Sequence, residues 1–559
     1  MNGVARVSHS PQLRFRPPTL TKDDAKLRRM FCKPSTPFVW ILIALSLTSN
    51  TKPPAQPVRI QIRSEFREND PLSYAVVYAR HSNNQHALSE IAIRYAELGN
   101  FEQAMRVNES ATDEDWRTGA FGKIALEYWK HGQHDKAREL FLRVSNLPLP
   151  KDVIYIWGDI IEDMAEARQF DLALDIDSAM GAAGGTTAGN DLATIVEEFI
   201  EAKAQNPSLP DILPRVVSVA KSLTELSDRT VALKRVAVAY AVRGQYDRAI
   251  KLIQRFEDDF DRDDGAHGLA IQFAKLGLYD RALQLASNAG DFFGQIALVG
   301  IATEALKRRD KSKALEIVTR TDTLLAKARK APDYEPMETD ARLLSELAAL
   351  YSQLNREPRA VKLAELSFKT AKAIGKPGER YGALRSAINA FCEVGLYDKA
   401  IEATKSLDDY DRVQFDAAAE VAAHAVHKGQ LEAVDKIVKT IESTPLKENE
   451  ELRVKALVVI AGAEAEQGRF AAAQELLFNT MPLVEKLENS PETLKDFAVA
   501  FAEAGNIRTA LQQASIINAP HFTTQALIDI GTLCAQRKLT LDDGDLAVLS
   551  EGVKSWSEQ

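Results

Sequence analysis

The chain has 559 residues, 45% of them hydrophobic and 27% charged. That is enough apolar material for a large core, and it argues against wholesale disorder or a multi-span membrane protein. The 70 Lys and Arg against 79 Asp and Glu give a net charge of -9, but the split is uneven: residues 1–63 hold eleven Lys/Arg and two Asp, or +9, which leaves the remainder at -18. So acidic a body repels phosphate backbones, and no nucleic-acid partner is expected.

Residues 1–63 read as a basic leader. Eight of the 22 prolines precede residue 60, so this part does not share the structure of the rest. Residues 38–48, FVWILIALSLT, form an apolar run too short to span a bilayer, where a helix needs about 20 residues. Basic residues precede it (Lys26, Arg28, Arg29, Lys33) and a Pro-rich polar stretch follows. Charged region, short apolar core and polar exit match an export signal. Ala44 and Ser46 are spaced like a cleavage site, and Met30 offers a second possible start. The competing readings are a short membrane anchor and a buried helix. The predicted location is therefore periplasmic or secreted, or membrane-tethered through this segment alone if it is retained.

From residue 72 to 540 the chain repeats itself. The clearest copies are AELGNFEQAM (96–105), KHGQHDKAR (130–138), AVRGQYDRAI (241–250), AKLGLYDRAL (274–283), CEVGLYDKAI (392–401), AEQGRFAAAQ (465–474) and AEAGNIRTAL (502–511). Degenerate copies put Arg168, Arg309, Asn355 and Arg537 at the Gly place. Seven residues upstream stands Ala (Ala92, Ala125, Ala237, Ala270), and four upstream an aromatic (Tyr95, Tyr128, Tyr240, Phe273). Offsets of three and four put these on one helix face. The Gly place ends that helix in the left-handed conformation, and a second helix starts almost at once. One long gap, 168 to 244, hides a further pair over 191–205 and 212–226. The fold class is all-α: a right-handed solenoid of about twelve antiparallel helix pairs, with 541–559 a polar tail or cap.

The pattern resembles the tetratricopeptide repeat. That family's small residue, aromatic, Gly-x-aromatic and Ala marks correspond to Ala92, Tyr95, Gly99, Phe101 and Ala104, and again to Ala237, Tyr240, Gly244, Tyr246 and Ala249. Ala usually replaces the family's first Gly, the terminal Pro is mostly missing, and the spacing varies around the family's 34 residues. The resemblance implies a concave inner face that binds proteins or peptides.

Candidate chemistry is sparse. Cys32, Cys392 and Cys534 are too few and too far apart for a disulfide framework. The pairs His131/His134 and His424/His427 lack the three or four converging ligands of a zinc site. EDDFDRDDG (257–265) fails the calcium-loop pattern at its Gly and at its twelfth place, and reads as an acidic connection with a helix cap. GAAGGTTAGND (181–191) lacks the GK[ST] of a phosphate cradle and reads as a loop. No enzyme activity, cofactor or metal is expected.

If family geometry holds, the inner face carries the places six and two before the Gly. The first includes Ile93, Leu126, Val238, Ile271, Thr303 and Asn389, mostly small or apolar. The second alternates in sign and includes Lys275 and Lys307. Trp116 and Trp157 stand in the aromatic first repeats and are a second candidate contact group. The expected function is a non-catalytic protein-interaction scaffold holding a partner segment on the concave face. A structural or self-associating envelope protein is the alternative, and an enzyme on a helical scaffold comes third.

Overall fold

The computed structural model describes residues 71–557, apart from 148–153, 183–187, 333, 408–410, 445–449 and 488–489. The predicted leader and its apolar run lie outside the described residues. The helices belong to one compact unit, Arg63–Gln559. Among the described residues every regular element is an α-helix.

A short helix, α1 (Pro71–His81), comes first. The first helices of the successive pairs are then α2 (Gln85–Glu97), α4 (Glu114–Lys130), α6 (Ile154–Glu166), α8 (Ala188–Gln205), α10 (Leu226–Val242), α12 (Asp259–Lys275), α14 (Gly290–Lys307), α16 (Glu338–Gln353), α18 (Pro377–Glu393), α20 (Asp411–His427), α22 (Glu450–Glu466), α24 (Pro491–Glu503) and α26 (Pro520–Gln536). Their second helices are α3 (Phe101–Ser110), α5 (His134–Ser145), α7 (Phe170–Ala182), α9 (Leu213–Ser222), α11 (Tyr246–Ile253), α13 (Tyr279–Asn288), α15 (Lys311–Ala328), α17 (Glu357–Ala373), α19 (Tyr397–Thr404), α21 (Leu431–Ser443), α23 (Phe470–Val484), α25 (Ile507–Ser515) and α27 (Asp543–Ser557).

The turn inside each pair explains the repeated Gly. At the end of α2, Gly99 has φ +75°. Its N–H donates to Ala96 O, and the next N–H, of Asn100, donates to Tyr95 O, both at 2.8 Å. This two-bond closure satisfies carbonyls that a helix end leaves unpaired, and it requires the left-handed conformation. The Asn100 side chain then accepts from Gln103 N and starts α3. Arg168, Arg309 and Asn355 adopt the same positive φ without Gly, as their places in the repeat predict. The last copy is corrected by one residue: Lys538, not Arg537, has the positive φ of 53°. Cys534 therefore stands at the aromatic place, four before the turn, and not at the small one.

The upstream marks form the core. Ile91, Ala92 and Tyr95 are buried, as are Val236, Ala237 and Tyr240 on α10 and the second-helix Ala104 and Ala249. The hidden pair exists as α8 and α9, with bounds shifted from the expected ones. The glycine-rich stretch is partly helix: α7 runs to Ala182 and α8 starts at Ala188. A Cβ on Gly189 would stand 2.4 Å from the Asp228 backbone, so α8 meets the start of α10 at a distance only Gly permits.

Each first helix packs on the first helix of the next pair, without a break from α2 to α26. Second helices rarely touch one another; α5 with α7, α19 with α21 and α25 with α27 do so. First helices therefore form the crowded inner layer and second helices the splayed outer one. The layer also closes. α26 packs against α1 and against α2. Leu72 of α1 is 1% exposed and lies over Gly531, where an added Cβ would be 3.1 Å from it. Asn84 Nδ2 and His521 Nδ1 are 3.0 Å apart, 437 residues apart in sequence. The unit thus completes its last pair with its own α1. α27, expected as a tail or cap, is a helix that packs on α25, where Arg508 pairs with Asp542 and, at 3.1 Å, with Asp545.

Candidate functional site: the exposed face of the first helices

A helix packed between two like neighbours and an outer partner keeps one free face. On the first helices that face carries the places six and two before the turn. Ile93, Val238, Ile271 and Thr303 are half-buried and Asn389 is exposed. Ile271 leans across onto the next helix, where a Cβ on Gly300 would come within 2.6 Å of it. The Thr303 hydroxyl donates to Val299 O at 3.0 Å. Lys275 is exposed, and Lys307 reaches Glu304 at 2.8 Å.

Two predicted contact residues are core instead. Leu126 is 4% exposed and Trp157 is 2% exposed, so neither presents a side chain to a partner. Periodicity put them on the right helices, but neighbouring helices cover them. Trp116 is half-buried, with its ring edge-on to His86 at 4.3 Å. Trp129 packs on the core from the edge, against His134 at 4.1 Å.

Charged side chains on the first helices pair laterally, which sequence reading missed. Lys123 Nζ lies 2.7 Å from Asp163 of the next first helix, and Lys130 lies 3.2 Å from Glu166. Arg235 meets Glu197 at 2.8 Å, and Lys234 reaches both Asp261 and Asp264. Arg385 pairs with Glu420. His424 meets Glu393 at 3.2 Å, and His427 meets Glu466 at 3.3 Å. These bridges stitch one first helix to the next. The signal lay in opposite charges at matching places one repeat apart, as at Lys130 and Glu166.

The acidic segment 257–265 is mostly helix, and its cap is Asp258, whose side chain accepts from Asp261 N at 3.0 Å. Hydrogen bonds from His267 and Lys234 hold the Asp264 carboxyl down at about 2. Among the described residues no group of three or more His, Cys, Asp or Glu is arranged to hold a metal ion. Cys392 and Cys534 are buried free thiols, which burial pushes up to about 12 and about 11.

Two buried carboxyls were not foreseen. Asp163 is 1% exposed; burial pushes it up to about 7 in spite of Lys123. Asp177 on α7 is fully buried, and no hydrogen bond reaches either of its oxygens among the described residues. Burial first, and the Asp191 carboxylate second, push it up to about 8.

No family model matches this chain, and no curated protein does. Solved structures do. Ton1535 from Thermococcus onnurineus NA1 is 17% identical, with 67% of this chain and 99% of that one covered, at a TM-score of 0.22. Yeast Tom70 is 13% identical, with 85% and 99% covered, at 0.25. A circular tandem repeat protein is 14% identical, with 87% and 94% covered, at 0.17. Scores this low establish no shared global path, so the assignment rests on the turn geometry, the buried small and aromatic places and the unbroken inner layer. The fold is a tetratricopeptide-like α-solenoid. Among the described residues no helix is long and apolar enough to cross a membrane.

Proposed function

We propose that this solenoid is a non-catalytic protein-interaction scaffold that holds a protein or peptide segment on the free face of its first helices. The observation that carries this reading is the row six places before each turn. Val238, Ile271, Thr303, Ala349, Ala423 and Val499 are small or apolar, yet each is only half-buried. Such a row gives shape and apolar contact without a strong charge preference, which suits a peptide backbone or a helix. The acidity of the body disfavours nucleic acid. The basic leader supports action outside the cytoplasm after its removal, and N-terminal sequencing of the native protein tests that part: an intact Met1 or Met30 in a cytosolic fraction would refute export.

The alternative is a structural or self-associating envelope protein, for which an apolar end of the stack would be the simplest surface. It loses that surface, because α1 covers α26.

Site-specific photo-crosslinking of the full chain in its native cells tests the face. Probes at Val238, Ile271 and Asn389 are expected to form the same adduct, and a probe at Leu324, exposed on the outer α15, to form none. Adducts at Leu324 with none at the three inner places would overturn the reading.

A further inference from the structure

The entries of four first helices carry a second pattern. Leu226, Phe260, Phe292 and Met337 stand 17 or 18 residues before the left-handed turns at Gly244, Gly277, Arg309 and Asn355. They mark the N-terminal ends of four consecutive first helices, α10, α12, α14 and α16. All four are exposed, by 50%, 63%, 43% and 52%. Near the entries of other first helices stand Asp115, Gly378, Arg412, Glu451 and His521. Exposed apolar residues at the entries of four neighbouring first helices make a local surface and are not a requirement of the repeat.

Rings link two of these helix entries. Phe260 lies edge-on to Phe293 at 5.0 Å, and Phe293 to Phe292 at 5.0 Å. An aromatic ladder thus joins two helices while Phe260 stays more than half exposed. The segments that enter these helices are rich in carboxylates, with Glu225, Asp228, Glu257, Asp258, Asp263 and Glu338 among them. Nearby cations are engaged within the chain: Arg229 donates to Leu223 O at 2.9 Å, Arg262 to Phe256 O at 3.1 Å and Arg329 to the Thr370 hydroxyl at 3.0 Å, and Arg342 lies 3.8 Å from Glu346. Arg255 and Lys330 directly follow the second helices α11 and α15.

We propose that this rim docks a cationic amphipathic helix of a partner protein, its apolar stripe on Leu226, Phe260, Phe292 and Met337 and its Lys or Arg flanks on the rim carboxylates. Packed helices stand about 8–10 Å apart, and seven residues of a helix rise about 10.5 Å. One anchor per repeat therefore matches one apolar residue per heptad of the docked helix, over about 22 residues. The acid surround selects Lys and Arg flanks and repels an anionic lipid surface. The rim stands apart from the half-buried row proposed above, so each proposal survives failure of the other.

The test uses the full chain and a fluorescent 25-residue helical peptide with Leu at every seventh and intervening fourth position and Lys elsewhere on its flanks. Anisotropy is read at near-physiological salt. Binding is expected to fall at least 10-fold for the double variant Phe260→Ser/Phe292→Ser and for a peptide with Glu in place of Lys. Leu324→Ser, exposed on α15, is expected to bind like wild type. Thermal melting of the double variant reports its folding; a folded double variant that binds as well as wild type overturns the proposal. So does an equal loss in Leu324→Ser, which would show that the loss is not specific to the rim. Co-sedimentation with vesicles rich in anionic lipid that depends on Phe260 would overturn it in favour of a membrane surface.

Discussion

The pair α16–α17 and the pair α26–α1 are built from the same kinds of contact and joined in opposite ways. α16 and α17 are linked by a tight turn at Asn355, and a buried network holds them: the Ser345 and Ser367 hydroxyls are 2.8 Å apart, and Ser367 donates to Ala341 O. α26 and α1 come from the two ends of the described chain, with Leu72 over Gly531 as their close contact. Bringing distant ends together costs more loop-closure entropy than a three-residue turn does. The interior pair thus forms locally, whereas the closing pair depends on every pair between.

α27 shows what closure displaced. In the other pairs whose turn has a left-handed residue, the second helix starts two residues after it, as Phe101 follows Gly99. After Lys538 the regular turn bond is present, Leu539 N to Cys534 O at 2.8 Å, yet α27 starts only at Asp543. α1 occupies the side of α26 that a second helix would take, and α27 is deflected onto α25.

The largest test of this contrast places a charge in each pair. Leu347→Asp on α16 and Leu72→Asp on α1 each bury a carboxylate without a partner, at a cost of several kcal/mol. Hydrogen exchange is expected to rise over 338–373 in the first variant. In the second it should rise over 85–97 and 520–536 while 338–373 stays protected. Uniform exchange in both would mean that the whole unit opens as one, against the nearest-neighbour energetics of repeat proteins.

A milder probe is steric. Gly531→Val would press on Leu72, and Ala249→Trp would overpack an interior pair; each should cost about 1–3 kcal/mol in denaturant melts. A seam that yields freely would show as a loss at Ala249 with none at Gly531.

Asp177 gives a test by pH. Its folded pKa is raised, to about 8, above an unfolded value near 4. The native state then holds a proton that the unfolded state has lost, so this contribution is full below about pH 4 and is lost as pH rises to about 8. Asp177→Asn should gain on wild type across that window. Parallel melting curves from pH 4 to 8 would show that the buried carboxyl does not titrate this way.

The smallest effect concerns the turns. Arg309 adopts φ +63° without being Gly, so Arg309→Gly should stabilise by up to about 1 kcal/mol, and Gly277→Ala should cost about as much. Equal melting of wild type and both variants would remove turn strain from the account.

How much could be read from the residues differs between turn and surface. Gly99, Tyr95 and Ala92 were legible because a helix end, its aromatic and its small contact lie within eight residues, and local spacing dictates them. Ile271 was placed on the free face by the same spacing. Leu126 was not legible, since periodicity shows which side of a helix is apolar and not whether a neighbour covers it. Asp177 was invisible for the same reason: its proton affinity depends on burial between elements.

The sequence by itself determined the helix pairs, their turns and the register of their cores, because each is set by contacts within a few residues. Only the tertiary structure decided that α1 completes the pair of α26, that α27 gives way, and that Leu226, Phe260, Phe292 and Met337 are exposed together at one end of four adjacent helices. Closure depends on the small rotation from each pair to the next summed along the whole chain, a quantity that no single repeat encodes.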